Sequence, residues 1–154
     1  MKPNAKAKAV LDAINYATLA TVTRDGDPWN SPVYCAYDKD YNVYWGSHVG
    51  SQHSQNIRAN GKVFIVIYDS TVAPGLGSGV YVQATCIELA DPSEIAAAHK
   101  LIQDRRPNPY WKLEEVQTGR PVHLSKAMPQ KIWMNGEGEK DGQYIDVRVE
   151  AQEQ

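Results

Sequence analysis

The stretch Ser47 to Ile57, "SHVGSQHSQNI", gathers three serines, two glutamines, one asparagine and two histidines into eleven positions. It follows a strand-like run, Tyr41 to Gly46, and leads into residues that can turn helical. A helix beginning near Ser51 leaves its first backbone N–H groups unpaired and places partial positive charge there. Such an end suits a phosphate, and hydroxyl or amide side chains in the first turn add donors. Ser51, Gln52 and His53 fall at that turn, with Asn56 one turn on. The alternative is an ordinary capped helix in which Ser51 satisfies its own backbone. Residue types alone leave both open.

Other chemistries fare worse. His48 and His53 stand five apart across a loop-to-helix junction, whereas helical zinc ligands stand four apart, so no metal site is expected. His99 and His123 are isolated in sequence. There is no GxSxG nucleophile motif. Glu114 and Glu115 are adjacent, which on a helix gives a solvated face rather than an acid–base pair. Arg105 and Arg106 in "DRRP" could bind an anion, but cations complementing a helix C-terminus is the favoured reading. "GLGSG" lacks the helix that a dinucleotide loop requires and reads as a hairpin connection.

The elements that must position these residues alternate quickly. Ala5 to Asn15 reads as a short amphipathic helix. "ATLATVT", the turn at residues 24–27, "PWNSPVYCAYD", the turn "DKDYN" and "VYWGS" form a β-meander. "KVFIVIYDS" has almost no polar alternation and predicts a strand buried on both faces. "VYVQATCIEL" is a further strand. "DPSEIAAAHKLIQ" starts a helix, with Asp91 as cap, Pro92 in the first turn and Glu94 placed to reach back. The prolines of "RRPNP" must end it. "YWKLEEVQ" suggests a turn of helix, and "PVHLSKA", "QKIWMN" and "GQYIDVRVE" closing strands separated by Pro and Gly. Six or more mostly antiparallel strands flanked by helices predict a mainly β fold, a small barrel in one domain over residues 1–154.

Composition sets outer bounds. A net charge of −2 gives no electrostatic case for nucleic acid or a membrane surface. The N-terminus has no continuous apolar run, so neither a signal peptide nor a membrane span is expected, and a cytoplasmic location is. Cys35 and Cys86, without CxxC spacing, read as free thiols. Nine Tyr and four Trp against one Phe favour half-buried surfaces such as clefts and subunit contacts.

The run "YATLATVTRDGDPWNSPVYCAYDKDYNVYWGSHVGSQHSQNIRANGKVFIVIYDS", followed by "GVYVQATCIEL", resembles the pyridoxamine 5'-phosphate oxidase-like family of flavin-binding split barrels. "MPQKIWMNG" resembles its closing strand. The resemblance implies a homodimer that binds FMN in clefts at the subunit interface and acts on a small-molecule substrate; a deazaflavin, haem or an empty cleft are the alternatives within the fold. It implies that Gly46 and Ser47 lead into the cofactor loop, and that Ser51, Gln52 and His53 lie beside the phosphate. Asn30, Ser31, Pro32 and Val33 would flank the ring, and Trp133 would approach the flavin. Pro32 also has its own rationale, since a residue without N–H suits a sheet edge. In the vitamin B6 oxidases an Arg-Lys pair replaces Gln52-His53. A His53 that is protonated when phosphate is bound is therefore the expected compensation for the missing cations.

Overall fold

A computed structural model describes residues 2–105 and 111–152. In chain order the elements are α1 (Ala5–Ala13), β1 (Tyr16–Val22), β2 (Pro28–Tyr34), β3 (Ala36–Tyr37) and β4 (Val43–His48). They continue with α2 (Gln52–Asn60), β5 (Lys62–Tyr68), β6 (Gly79–Glu88), α3 (Pro92–Arg105), α4 (Leu113–Gln117), β7 (Val122–Lys140) and β8 (Gln143–Glu150). Arg106 and the prolines of "RRPNP" lie outside the described residues.

All the ladders are antiparallel, as the short turns require, and the strands run β2-β1-β5-β6-β7-β4-β3, with β8 added to β7. The two ends of that path, β2 and β3, are consecutive in sequence and separated only by Cys35. The chain therefore leaves β1 at Tyr34 and joins β4 at Ala36, which curls the sheet into a barrel. Among the described residues no ladder joins β2 to β4, so the barrel is split along that line.

Alternation explains which side is inside. Ala17, Leu19, Val63, Ile65, Ile67, Val80, Val82 and Ala84 point inward and are buried with Ile132 and Met134. The expectation that β5 is buried on both faces is corrected. Phe64 and Val66 on its outer face are half-buried and Tyr68 is exposed. There Phe64 stacks on Trp133, centroids 6.3 Å apart, and the Arg148 guanidinium lies 4.5 Å from the Tyr81 ring centroid. A second cluster forms where Ile95, Ala98 and Ile102 of α3 and Val116 of α4 pack on Tyr44, Val122 and Leu124.

The closing strands also differ from expectation. "PVHLSKA" and "QKIWMN" form one strand, β7, because Pro129 falls at a bulge: Gln83 pairs Lys131 while Ala84 pairs Pro129. A proline without N–H is tolerated where the ladder is already interrupted. Asp91 caps α3, accepting from Ser93 N and Glu94 N, but Glu94 reaches Lys126 (3.1 Å) instead of turning back. Glu115 caps α4 through the Lys112 N–H. Arg105 does complement a helix C-terminus, that of α1 rather than its own. Its Nη2 donates to the carbonyls of Leu11 (2.6 Å) and Ile14 (2.7 Å), and the guanidinium lies 4.4 Å from the Tyr37 ring centroid. Cys35 and Cys86 are both buried and free, and burial pushes each thiol up to about 12.

Candidate functional site

The split between β2 and β4 is where strand edges lack partners, and a cavity of about 240 Å³ opens there. Pro32, Val33 and Tyr34 of β2 form one wall, and Gly46 and Ser47 of β4 form the other. Tyr16 starts β1 beside them, its ring edge-on to Tyr34 at 5.5 Å. Ile102 of α3 and Trp111, just before α4, cover the cavity, and His53 of α2 lies at its polar end. The Tyr34 hydroxyl donates to the Arg105 carbonyl (2.6 Å), so the clamp on α1 also fixes this wall.

Gly46 is required here. A Cβ at that position would meet Cζ3 of Trp111 at 2.2 Å, so only a bare backbone lets the indole lie against β4. The Trp111 backbone is also held: His99 Nε2 and Gln103 Nε2 both donate to its carbonyl, at 2.8 and 3.1 Å. His99, isolated in sequence, thus anchors the aromatic cover.

Beneath the cavity runs a buried polar chain. Ser47 Oγ lies 2.7 Å from His53 Nε2, and Ser51 Oγ lies 3.3 Å from the same atom. Ser51 also touches Ser54 Oγ (2.7 Å), which stands 3.5 Å from His123 Nε2. His123 faces Glu88 (3.3 Å), and Glu88 pairs with Arg58 (2.5 Å) at the surface. Burial, and then the neighbouring His123, hold the His53 imidazole below the ordinary histidine range. Burial does the same to His123, with Glu88 opposing it. Both rings thus favour the neutral form in the ligand-free protein. Ser51 occupies the N-cap of α2, but its side chain does not cap; it donates to the His48 carbonyl instead. No side chain accepts from the N–H groups of Gln52, His53 or Ser54 among the described residues.

On the other side of α2 lies a polar cleft of about 600 Å³. Gln52, Gln55, Asn56 and Arg58 face Arg24, Asp25 and Asp27 of the β1–β2 turn across it. Asn56 is buried and donates to Thr21 Oγ1 (2.9 Å), tying the helix to β1. Gln52 and His53, adjacent in sequence, thus serve two different spaces.

The model of the pyridoxamine 5'-phosphate oxidase family matches residues 3–134. The chain belongs to this family. No curated protein matches it. Its fold recurs in solved structures of family-like split barrels. The conserved hypothetical protein Rv2991 from Mycobacterium tuberculosis superposes with a TM-score of 0.70 at 17% identity, over 86% of this chain and 83% of that one. HutZ, the haem storage protein from Vibrio cholerae, gives 0.68 at 19%, over 86% and 94%. An FAD-binding protein from Mesorhizobium loti gives 0.63 at 20%, over 84% and 91%. At these identities the likeness concerns the fold. The hairpin of β8 with the end of β7 lies beyond the matched residues.

Within this family fold, the residues singled out from sequence are only partly gathered. Pro32, Val33, Gly46, Ser47 and His53 line the β2–β4 cavity, and Ser51 supports it from below. Pro32 sits on β2, at one end of the sheet path, as its missing N–H suggested. Asn30 is exposed on β2, and Ser31 accepts from Trp29 Nε1 (3.1 Å); neither lines the cavity. Gln52 faces the polar cleft. Trp133 lies on the outward sheet face with Phe64 and does not line the cavity. Tyr16, Tyr34, Ile102 and Trp111 were missed. The signal available for them was the surplus of Tyr and Trp, which carries no address. Among the described residues no three metal-ligating side chains converge, and no helix is long and apolar enough to cross a membrane.

Proposed function

We propose that the chain binds FMN at the β2–β4 split, in a homodimer, and works as a flavin-dependent oxidoreductase on a small molecule. The observation that carries this is the cavity itself. It is apolar and aromatic on its walls, polar at the His53–Ser47 end, and close to helix N–H groups that no side chain claims. These residues fit the two halves of a flavin mononucleotide. Tyr16, Pro32, Val33, Tyr34 and Trp111 offer apolar surface for a flat ring, and the first turn of α2 offers donors for a phosphate.

A cavity of about 240 Å³ is below the roughly 300–1,000 Å³ usual for ligand sites, so one chain supplies part of the site. The outward face with Tyr16, Phe64, Val66, Tyr68 and Trp133 adjoins it and supports a second copy as the missing wall. Flavin, when bound, supplies the two-electron chemistry. The protein excludes water with Trp111 and Ile102, orients the ring's neighbours through Gly46 and Ser47, and holds a titratable group at His53.

A second reading keeps the pocket but removes turnover. Among the described residues no carboxylate, lysine or thiol lines the cavity, which suits a carrier. HutZ, described as a haem storage protein, makes haem the cofactor to compare, and a deazaflavin is the third. A visible spectrum of the purified protein separates them. Flavin bands that bleach under anaerobic addition of reduced nicotinamide support the oxidoreductase. Flavin bands that persist support a carrier, and a Soret band supports haem.

A further inference from the structure

The polar chain beneath the cavity has one fixed end, and counting hydrogens from that end sets the protons along it. Ser51 Oγ donates its hydrogen to the His48 carbonyl at 2.9 Å. A hydroxyl has one hydrogen and two lone pairs, so Ser51 can only accept from its two remaining neighbours, Ser54 and His53. Ser54 therefore donates to Ser51 and offers a lone pair to His123 Nε2. That nitrogen then carries a hydrogen, shared towards Glu88, while His123 Nδ1 is sealed without a partner.

For His53, Ser47 could donate to Nε2, but only a hydrogen on Nε2 satisfies the Ser51 contact as well. A hydrogen on Nε2 points to Ser47 Oγ at 2.7 Å and Ser51 Oγ at 3.3 Å. The other tautomer would set an Nε2 lone pair against a Ser51 lone pair. Nδ1 is then left with a free lone pair. It has no hydrogen-bond partner among the described residues and is not among the sealed polar atoms, and His53 lines the cavity.

We propose that His53 is the proton-accepting group of the β2–β4 pocket, with Nδ1 as the basic atom and Ser51 and Ser47 as the residues that position it. The proposal deepens the functional reading above and rests on it for the claim that chemistry occurs in this pocket. The ligand it fits presents an N–H or O–H towards Nδ1. In the step it serves, that bond breaks, its electron pair stays on the ligand, and the proton joins the Nδ1 lone pair. The imidazolium later returns the proton to water. Burial keeps the ring neutral and ready to accept near pH 7. The ionisable groups around it are Tyr16 and Tyr34 in the pocket and His123 beneath, with Glu88, Arg58 and His48 beyond His123.

Nitrogen-15 NMR of the imidazoles in ligand-free wild-type protein at pH 7.5 tests the positioning without any flavin. The expected result is His53 in the Nε2–H form by tenfold or more, with that excess falling in Ser51→Ala. An Nδ1–H majority in the wild type, or an unchanged ratio in a folded Ser51→Ala, would overturn the proposal. A pH titration of the same spectra should show the added proton arriving at Nδ1 while Nε2 keeps its hydrogen throughout; protonation at Nε2 instead overturns the proposal as well. If FMN does not bind, the flavin reading fails, and the tautomer measurement still decides this one.

Discussion

Adding one methyl group at Gly46 probes the aromatic cover of the pocket directly. An alanine Cβ would lie 2.2 Å from Cζ3 of Trp111 and 3.0 Å from Cε3 and Cη2. Carbon atoms rest about 3.5–4.0 Å apart, so the indole must withdraw by roughly 1.5 Å. Its retreat is opposed by the backbone anchors from His99 and Gln103. Overpacking of this kind costs about 1–3 kcal/mol. Without the indole the sign reverses, because replacing glycine by alanine inside a strand gains about 0.5–1 kcal/mol from backbone entropy. Urea unfolding followed by far-ultraviolet circular dichroism should therefore show Gly46→Ala destabilising the wild type and leaving Trp111→Ala unchanged or slightly stabilised. The coupling energy from the double-mutant cycle should be about 2 kcal/mol or more. Equal costs in the two backgrounds would refute the contact as the reason for the glycine.

Two further outcomes follow from the packing and the titrating groups. Arg105→Met should lower stability by about 3 kcal/mol, since it leaves the Leu11 and Ile14 carbonyls without their charged donor; a loss of unfolding free energy under about 1 kcal/mol in urea titration would contradict the clamp. His53 and His123 both titrate below the ordinary histidine value in the folded protein, so between the two values the unfolded chain binds more protons. Their contribution is complete above about pH 6.5 and is lost as pH falls below it. The urea midpoint should drop from pH 7 to pH 5, and the drop should shrink in His53→Gln/His123→Gln.

Much of the fold was legible because local chemistry and topology agree. The turn at residues 24–27, "DKDYN" and the capped α3 each fell between runs of the right period. What was not legible depended on contacts distant in sequence. Pro129 read as a strand break, and only the bulge against Gln83 and Ala84 shows why β7 passes through it. Phe64, Val66 and Tyr68 made β5 look doubly buried, since an apolar side chain does not specify whether its cover comes from the same chain. At the site, His53 could be found from the polar stretch that contains it, and Gly46 and Ser47 from the family resemblance. Trp111 and Ile102 could not, because α3 and α4 return to β4 only in three dimensions. The expectation for His53 concerned its state beside a bound phosphate, and the sequence gives no sign of its surroundings without one. Burial against His123, a residue 70 positions later, makes it a neutral ring.

Titrating FMN into the cofactor-free protein and following flavin fluorescence, beside a folded Ser47→Phe variant that fills the split, bears most directly on the claim that the β2–β4 cavity is a flavin site. Saturable quenching at one FMN per chain, abolished in Ser47→Phe, is the predicted result. No saturable quenching, or equal binding by the filled variant, would place the flavin elsewhere or remove it altogether.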